Sequence, residues 1–138
     1  MNLESTAGRK AVLIFHLQGT APTAREINRA VRAQYSPEEV LIASVIDLSI
    51  VPPVYWMSFS LILNTAYDQA AAELPSEADP TDYVMILPDW SGFVSRKYGA
   101  RNTGRATVIV IVDEDSNVAS YYQGERPVEA VFESLEPK

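Results

Sequence analysis

Residues 11–48 read AVLIFHLQGTAPTAREINRAVRAQYSPEEVLIASVIDL, and the order of apolar and polar residues within them decides the fold. Ala11–Leu17 is a near-continuous apolar run that ends at Gly19. A strand with one wet face alternates, whereas a run apolar at successive positions predicts a strand buried on both faces, as in parallel sheets. Pro22 then opens a helical stretch. Ala24, Ile27, Val31 and Tyr35 recur three or four apart and make one apolar face, with Arg25, Glu26, Arg29 and Arg32 largely on the other side. Ser36-Pro37-Glu38-Glu39 reads as a short capped turn. Residues 40–48 form a second apolar strand. The segment is therefore β-α-β, which implies parallel strands and a right-handed crossover.

Outward from that unit, residues 1–9 are polar and predicted to be loose, and 10–138 read as a single domain. Residues 50–57 (IVPPVYWM) hold a Pro-Pro break and predict a loop. A helical pattern covers 58–74, 75–82 is an acidic loop, and 83–87 a short strand. Residues 91–98 predict a short helix, capped by Ser91 or Asp89 and stopped by Gly99. Residues 107–112 (TVIVIV) are the strongest strand signal. A turn at Asp113–Asn117 and a return strand at Val118–Tyr122 complete a hairpin. Val128, Val131, Phe132 and Leu135 mark a C-terminal amphipathic helix. The order β-α-β-α-β-α-β-β-α predicts an α/β domain with a central mixed sheet flanked by helices.

The chain has 138 residues, no cysteine and one histidine. Within it, the lack of cysteine excludes disulfides, thiol nucleophiles, thiolate metal sites and iron–sulfur clusters. Eleven Lys and Arg stand against 18 Asp and Glu, a net charge of −7. Nucleic acid and acidic membrane surfaces are poor partners for that balance. The start, MNLESTAGRK, lacks the pattern of a signal peptide, no run of about 18 apolar residues occurs, and a cytoplasmic location is expected.

Three segments resemble the thioredoxin-like superfamily in its peroxiredoxin (alkyl hydroperoxide reductase/thiol-specific antioxidant, redoxin) branch. GRKAVLIFHLQGTAPTAREI at 8–27 is similar to the family's opening strand, active-site loop and first helix. YVMILPDWSGFVSRKYGA at 83–100 is similar to its later strand ending in Asp, short helix and Tyr-Gly stop. RATVIVIVDEDSNVASYYQG at 105–124 is similar to its last hairpin. The resemblance spans roughly 8–136, is weakest over 49–78, and implies a three-layer thioredoxin-like sandwich.

The departures fall at the family's active site. In the C-x-x-C register the chain has Thr20-Ala21-Pro22-Thr23, with hydroxyls for both sulfurs and the intervening proline kept. In the peroxiredoxin C-P-T register, Ala21-Pro22-Thr23 puts alanine at the peroxidatic position. Both registers remain open on the sequence. A threonine hydroxyl cannot replace a thiol in exchange chemistry. Ile14 stands where thioredoxins bury an acid, Ala106 where the family has a cis-proline, and Ser116 where the hairpin glycine belongs. Arg105 occupies the place of the arginine that the resemblance implies beside a peroxidatic thiolate.

Four groups of residues are candidates for function. Thr20 and Thr23 either cap the first helix or face a ligand at its positive end. His16 lies near the carboxyl end of the first strand, where open α/β sheets bind ligands, and is otherwise a packed, hydrogen-bonded histidine. Arg96, Lys97, Arg101 and Arg105 make either a patch for an anionic partner or ordinary surface pairs. Asp113–Asn117 begins like a calcium loop but lacks its glycine and glutamate, so it reads as a turn; no metal or cofactor is expected. The segment 51–67 is apolar on too many sides for one helix stripe. Tyr55, Trp56, Phe59, Leu63 and Tyr67 therefore predict a protein–protein surface, with extra core as the competing reading.

These residues point to a redox-inactive thioredoxin-like domain that acts by binding another protein or by self-association, most simply as a dimer. The alternatives are a redoxin-type oxidoreductase role relying on a partner's thiol, and a small anion or ligand sensor near Thr20.

Overall fold

The apolar run that opens the chain forms the middle of a five-stranded sheet. In the computed structural model, described over residues 9–17, 20–36, 39–49, 52–72, 86–100, 106–115 and 117–135, β1 (Lys10–His16) leads through α1 (Ala21–Arg32) into β2 (Val40–Asp47). A 3-10 turn (Pro53–Tyr55) runs into α2 (Trp56–Ala72), followed by β3 (Ile86–Asp89) and a short α3 (Phe93–Lys97). The hairpin β4 (Val108–Val112) and β5 (Val118–Tyr122) precedes α4 (Pro127–Leu135). The strand order is β3-β2-β1-β4-β5, parallel across β1, β2 and β3 and antiparallel at β4 and β5. The predicted mixed α/β sheet and its parallel β-α-β unit are thus present.

Both faces of the sheet are covered, which is why β1 and β4 are apolar at successive positions. Val12, Ile14, Ile42, Ile109 and Ile111 pack against Ala24, Ile27 and Val31 of α1 and Val131 and Leu135 of α4. Leu13, Phe15, Leu41, Val45, Val108 and Val110 form the core of the opposite face with Ala100, and Leu87, Val94 and Tyr98 pack against it. Each fully buried side chain of this size contributes about 1.5–3 kcal/mol. Arg32 ties the crossover shut: its guanidinium donates to the carbonyl of Val40 at 2.7 Å. The Ser36 amide donates to the Glu39 carboxylate at 3.1 Å, closing the predicted turn from its other end.

Three boundaries differ from the sequence reading. The Pro-Pro segment opens a helical turn instead of remaining a loop, and α2 begins at Trp56; Pro53 sits where a helix tolerates a missing N–H. The third strand continues through Pro88 to Asp89; β3 is an edge strand, where proline is tolerated. Residues 75–82, the predicted acidic loop, and 83–85, the start of the predicted strand, lie outside the described residues. The short helix has Gly92 at its N-cap, at φ 73°. Ser91 and Asp89 still serve that end: the Ser91 hydroxyl accepts from the Phe93 amide at 3.3 Å. A buried Asp89 oxygen accepts from the Ser95 amide at 2.8 Å. Gly99, at φ 70°, stops the helix as predicted.

Both edges of the sheet resist further pairing. β3 carries Pro88. In β5 the register steps from Ile111↔Ser120 to Val112↔Val118, so Ala119 is an extra residue and the strand bulges. Proline and bulges are both devices that blunt sheet edges. Phe93, Val118 and Tyr121 are exposed on α3 and β5, but the longest run of exposed apolar residues lies on α2 and the turn before it. Met57 is 80% exposed, Leu61 63% and Ile62 42%, with Val54 of the preceding turn at 78%. Among the described residues, no helix is long and apolar enough to cross a membrane.

Candidate functional site

The carboxyl end of β1 turns into α1 through one carbonyl. The Leu17 oxygen accepts from the Thr20 amide at 3.1 Å and from the Thr20 hydroxyl at 3.2 Å. His16 Nδ1 lies 3.1 Å from the same oxygen. A carbonyl only accepts, so Nδ1 carries the imidazole proton. His16 is buried, and burial pushes its pKa down, partly offset by the bond to Leu17. Its local geometry is that of a packed, hydrogen-bonded histidine.

Thr20 occupies the N-cap of α1 without a side-chain capping bond. Its hydroxyl turns back instead and accepts from the Leu17 amide at 3.0 Å. The Thr20 oxygen is therefore engaged with the end of the strand. Thr23, half-buried, sits at the third helical position, and Pro22 is exposed in the first turn, where its missing N–H costs no helix bond. Ala106 is half-buried and its carbonyl accepts from the Gln123 carboxamide at 3.3 Å. Arg105, Arg101 and Ser116 lie outside the described residues. Arg96 donates to the Ser91 carbonyl at 2.9 Å, and the Lys97 ammonium lies 5.9 Å from the Tyr98 ring centroid.

Ala21 and Pro22 line an open groove of about 460 Å³ between α1 and α2. Arg25, Leu61, Ile62, Thr65 and Gln69 complete it. A smaller cleft of about 280 Å³ lies on the other side of α2 and includes Leu63, Tyr67, Pro88 and Trp90. The five aromatic and aliphatic residues singled out in the sequence divide accordingly. Tyr55 is exposed. Trp56 is 37% exposed and meets Trp90 at 5.2 Å between centroids. Phe59, Leu63 and Tyr67 recur every four residues and are half-buried, Leu63 and Tyr67 beside the cleft.

The strongest open surface was carried by residues that sequence reasoning passed over, namely Val54, Met57, Leu61 and Ile62. Val54, Met57 and Leu61 recur three and four apart, which is the available signal, obscured because the other flank of α2 is apolar too. Arg25 and Gln69 join the groove only through the approach of α1 to α2. Among the described residues, no group of three His, Asp or Glu is placed to hold a metal ion.

No protein-family model matches the chain, and no curated protein matches it. Solved structures do. The exposed lipoprotein thioredoxin Etrx1 of Streptococcus pneumoniae superposes with a TM-score of 0.65 at 14% identity, over 96% of this chain and 87% of that one. A putative thiol:disulfide interchange protein DsbE from Chlorobium tepidum gives 0.60 at 17% identity, over 99% and 86%. StoA from Bacillus subtilis gives 0.59 at 13%, over 94% and 84%. The chain therefore has a thioredoxin-like fold.

Proposed function

We propose that this chain is a thioredoxin-like domain that works by binding protein without thiol chemistry, and that it self-associates through the outward face of α2. The carrying observation is the run of exposed Val54, Met57 and Leu61 on α2 and the turn before it, in a domain whose two sheet edges are both blunted. An apolar surface of this kind marks an interaction site, and the edges leave α2 as the face by which two copies would meet. A two-fold dimer is the simplest closed arrangement.

The C-x-x-C register describes the degenerate site better than the peroxiredoxin one. Thr20 stands at the N-cap and Thr23 one turn further, and the structural neighbours named above include a putative thiol:disulfide interchange protein. In that register both sulfur positions hold hydroxyls, and no cysteine stands elsewhere among the 138 residues. Sedimentation velocity over a hundredfold concentration range tests the proposal: self-association predicts a sedimentation coefficient that rises with concentration. A monomer throughout overturns it.

A further inference from the structure

The groove between α1 and α2 has a composition of its own. Ala21 and Pro22 form one apolar wall, and Leu61 and Ile62 the other. Among the described residues lining it, Arg25 carries the only charge. Arg25 is exposed, α1 has no acid in its first turn, and no hydrogen bond or ion pair engages Arg25 among the described residues. Thr65 donates its hydroxyl proton to the Leu61 carbonyl at 2.9 Å, so it offers lone pairs to an incoming N–H. The Gln69 carboxamide both donates and accepts. The volume, about 460 Å³, is in the range of roughly 300–1,000 Å³ usual for ligand clefts.

We propose that this groove takes an apolar segment of a partner protein that carries a carboxylate. The inference rests on reading the chain as a protein-binding domain and names the chemistry of one partner. The argument is charge complementarity. A surface of net −7 repels acidic segments in general, and the groove sets Arg25, which has no counter-charge among the described residues, between apolar walls. The walls supply affinity by burial, and Arg25 selects the sign of the partner. The polar pair Thr65 and Gln69 can meet the backbone of an extended segment, which an aliphatic chain does not offer.

The test is fluorescence anisotropy with three fluorescein-labelled, N-acetylated hexapeptides on the full chain: alternating leucine and glutamate, leucine and lysine, and serine and glutamate. The leucine–glutamate peptide should bind at least tenfold more tightly than either other. Arg25→Glu should reverse the preference between the glutamate and lysine peptides, with unchanged far-UV circular dichroism. Equal binding of the leucine peptides, or no effect of Arg25→Glu, overturns the proposal. So does displacement of the peptide by an equal concentration of decanoate, which would assign the groove to a small amphiphile. Leu61 serves both the groove and the self-association face, so peptide and second copy compete; the competition weakens all three peptides alike and leaves their ratios unchanged, while sedimentation of the wild-type chain without peptide reads self-association. Peptide selectivity lost with self-association retained sinks this inference alone, and the reverse pattern sinks only self-association.

Discussion

Trp56, in the first turn of α2, and Trp90, just beyond β3, meet with ring centroids 5.2 Å apart and planes inclined by 46°. The contact fastens the start of a largely exposed helix to the edge of the sheet. It also explains why Trp56 is the less exposed member of the pair Trp56 and Met57. One flank of α2 is used for docking, and the opposite flank is left apolar and open.

A double-mutant cycle on this pair should show coupling. Inclined aromatic pairs contribute about 0.5–1.5 kcal/mol beyond their buried area. Trp56→Ala and Trp90→Ala should each destabilise the chain in urea titrations, and the double variant by less than the sum. Additive losses would show that the two rings act independently.

The β-α-β unit is legible in the sequence because β1 and β2 are buried on both faces, so periodicity and burial say the same thing. β4 is legible for the same reason. The start of α2 is harder, because a Pro-Pro pair breaks a helix from within but opens one at its first turn. β3 is misplaced at its carboxyl end because Pro88 is tolerated only on an edge, and edge position is a property of the whole sheet. The site is less legible still. Thr20 has the residue type of a cap, but its hydroxyl chooses Leu17. The groove needs Arg25 and Leu61 side by side, and no local pattern brings two helices together.

His16 predicts a pH dependence. Burial holds its folded pKa below the ordinary histidine value of 6.5. Between those two values the unfolded chain binds a proton that the folded chain refuses, so stability rises with pH across the window. Above about pH 6.5 the neutral imidazole costs nothing. Stability should therefore fall as pH drops below that value. Denaturant midpoints between pH 5 and 7 should decline less steeply for His16→Leu; parallel curves for the two chains would contradict the assignment.

Thr107 is buried, and its hydroxyl has no hydrogen-bond partner among the described residues. An unpaired buried hydroxyl costs about 1–3 kcal/mol by protein mutational measures. Thr107→Val keeps the shape and removes the polar atom, so the urea midpoint should rise. A lower midpoint would mean that the hydroxyl is paired in solution.

Thr20 and Thr23 occupy the N-cap and third positions of α1. Replacing both by cysteine should yield a disulfide under mild oxidation, read as a loss of two hydrogens by mass spectrometry, because one turn separates the side chains at a range sulfurs can bridge. Persistent free thiols in the folded double variant would argue against the C-x-x-C register.

The most direct measurement of the central claim is sedimentation velocity of the wild type beside Leu61→Glu and a Tyr121→Glu control at micromolar concentration. Leu61 is 63% exposed on α2, and Tyr121 is 48% exposed on β5. A charge at an interface centre typically costs on the order of 2 kcal/mol or more, enough to dissociate a micromolar dimer. The account predicts a wild-type mass near twice the 15.2 kDa chain, a dimer for Tyr121→Glu, and a folded monomer for Leu61→Glu. A wild type that stays monomeric, or a dimer that survives Leu61→Glu and is lost in Tyr121→Glu, would contradict it.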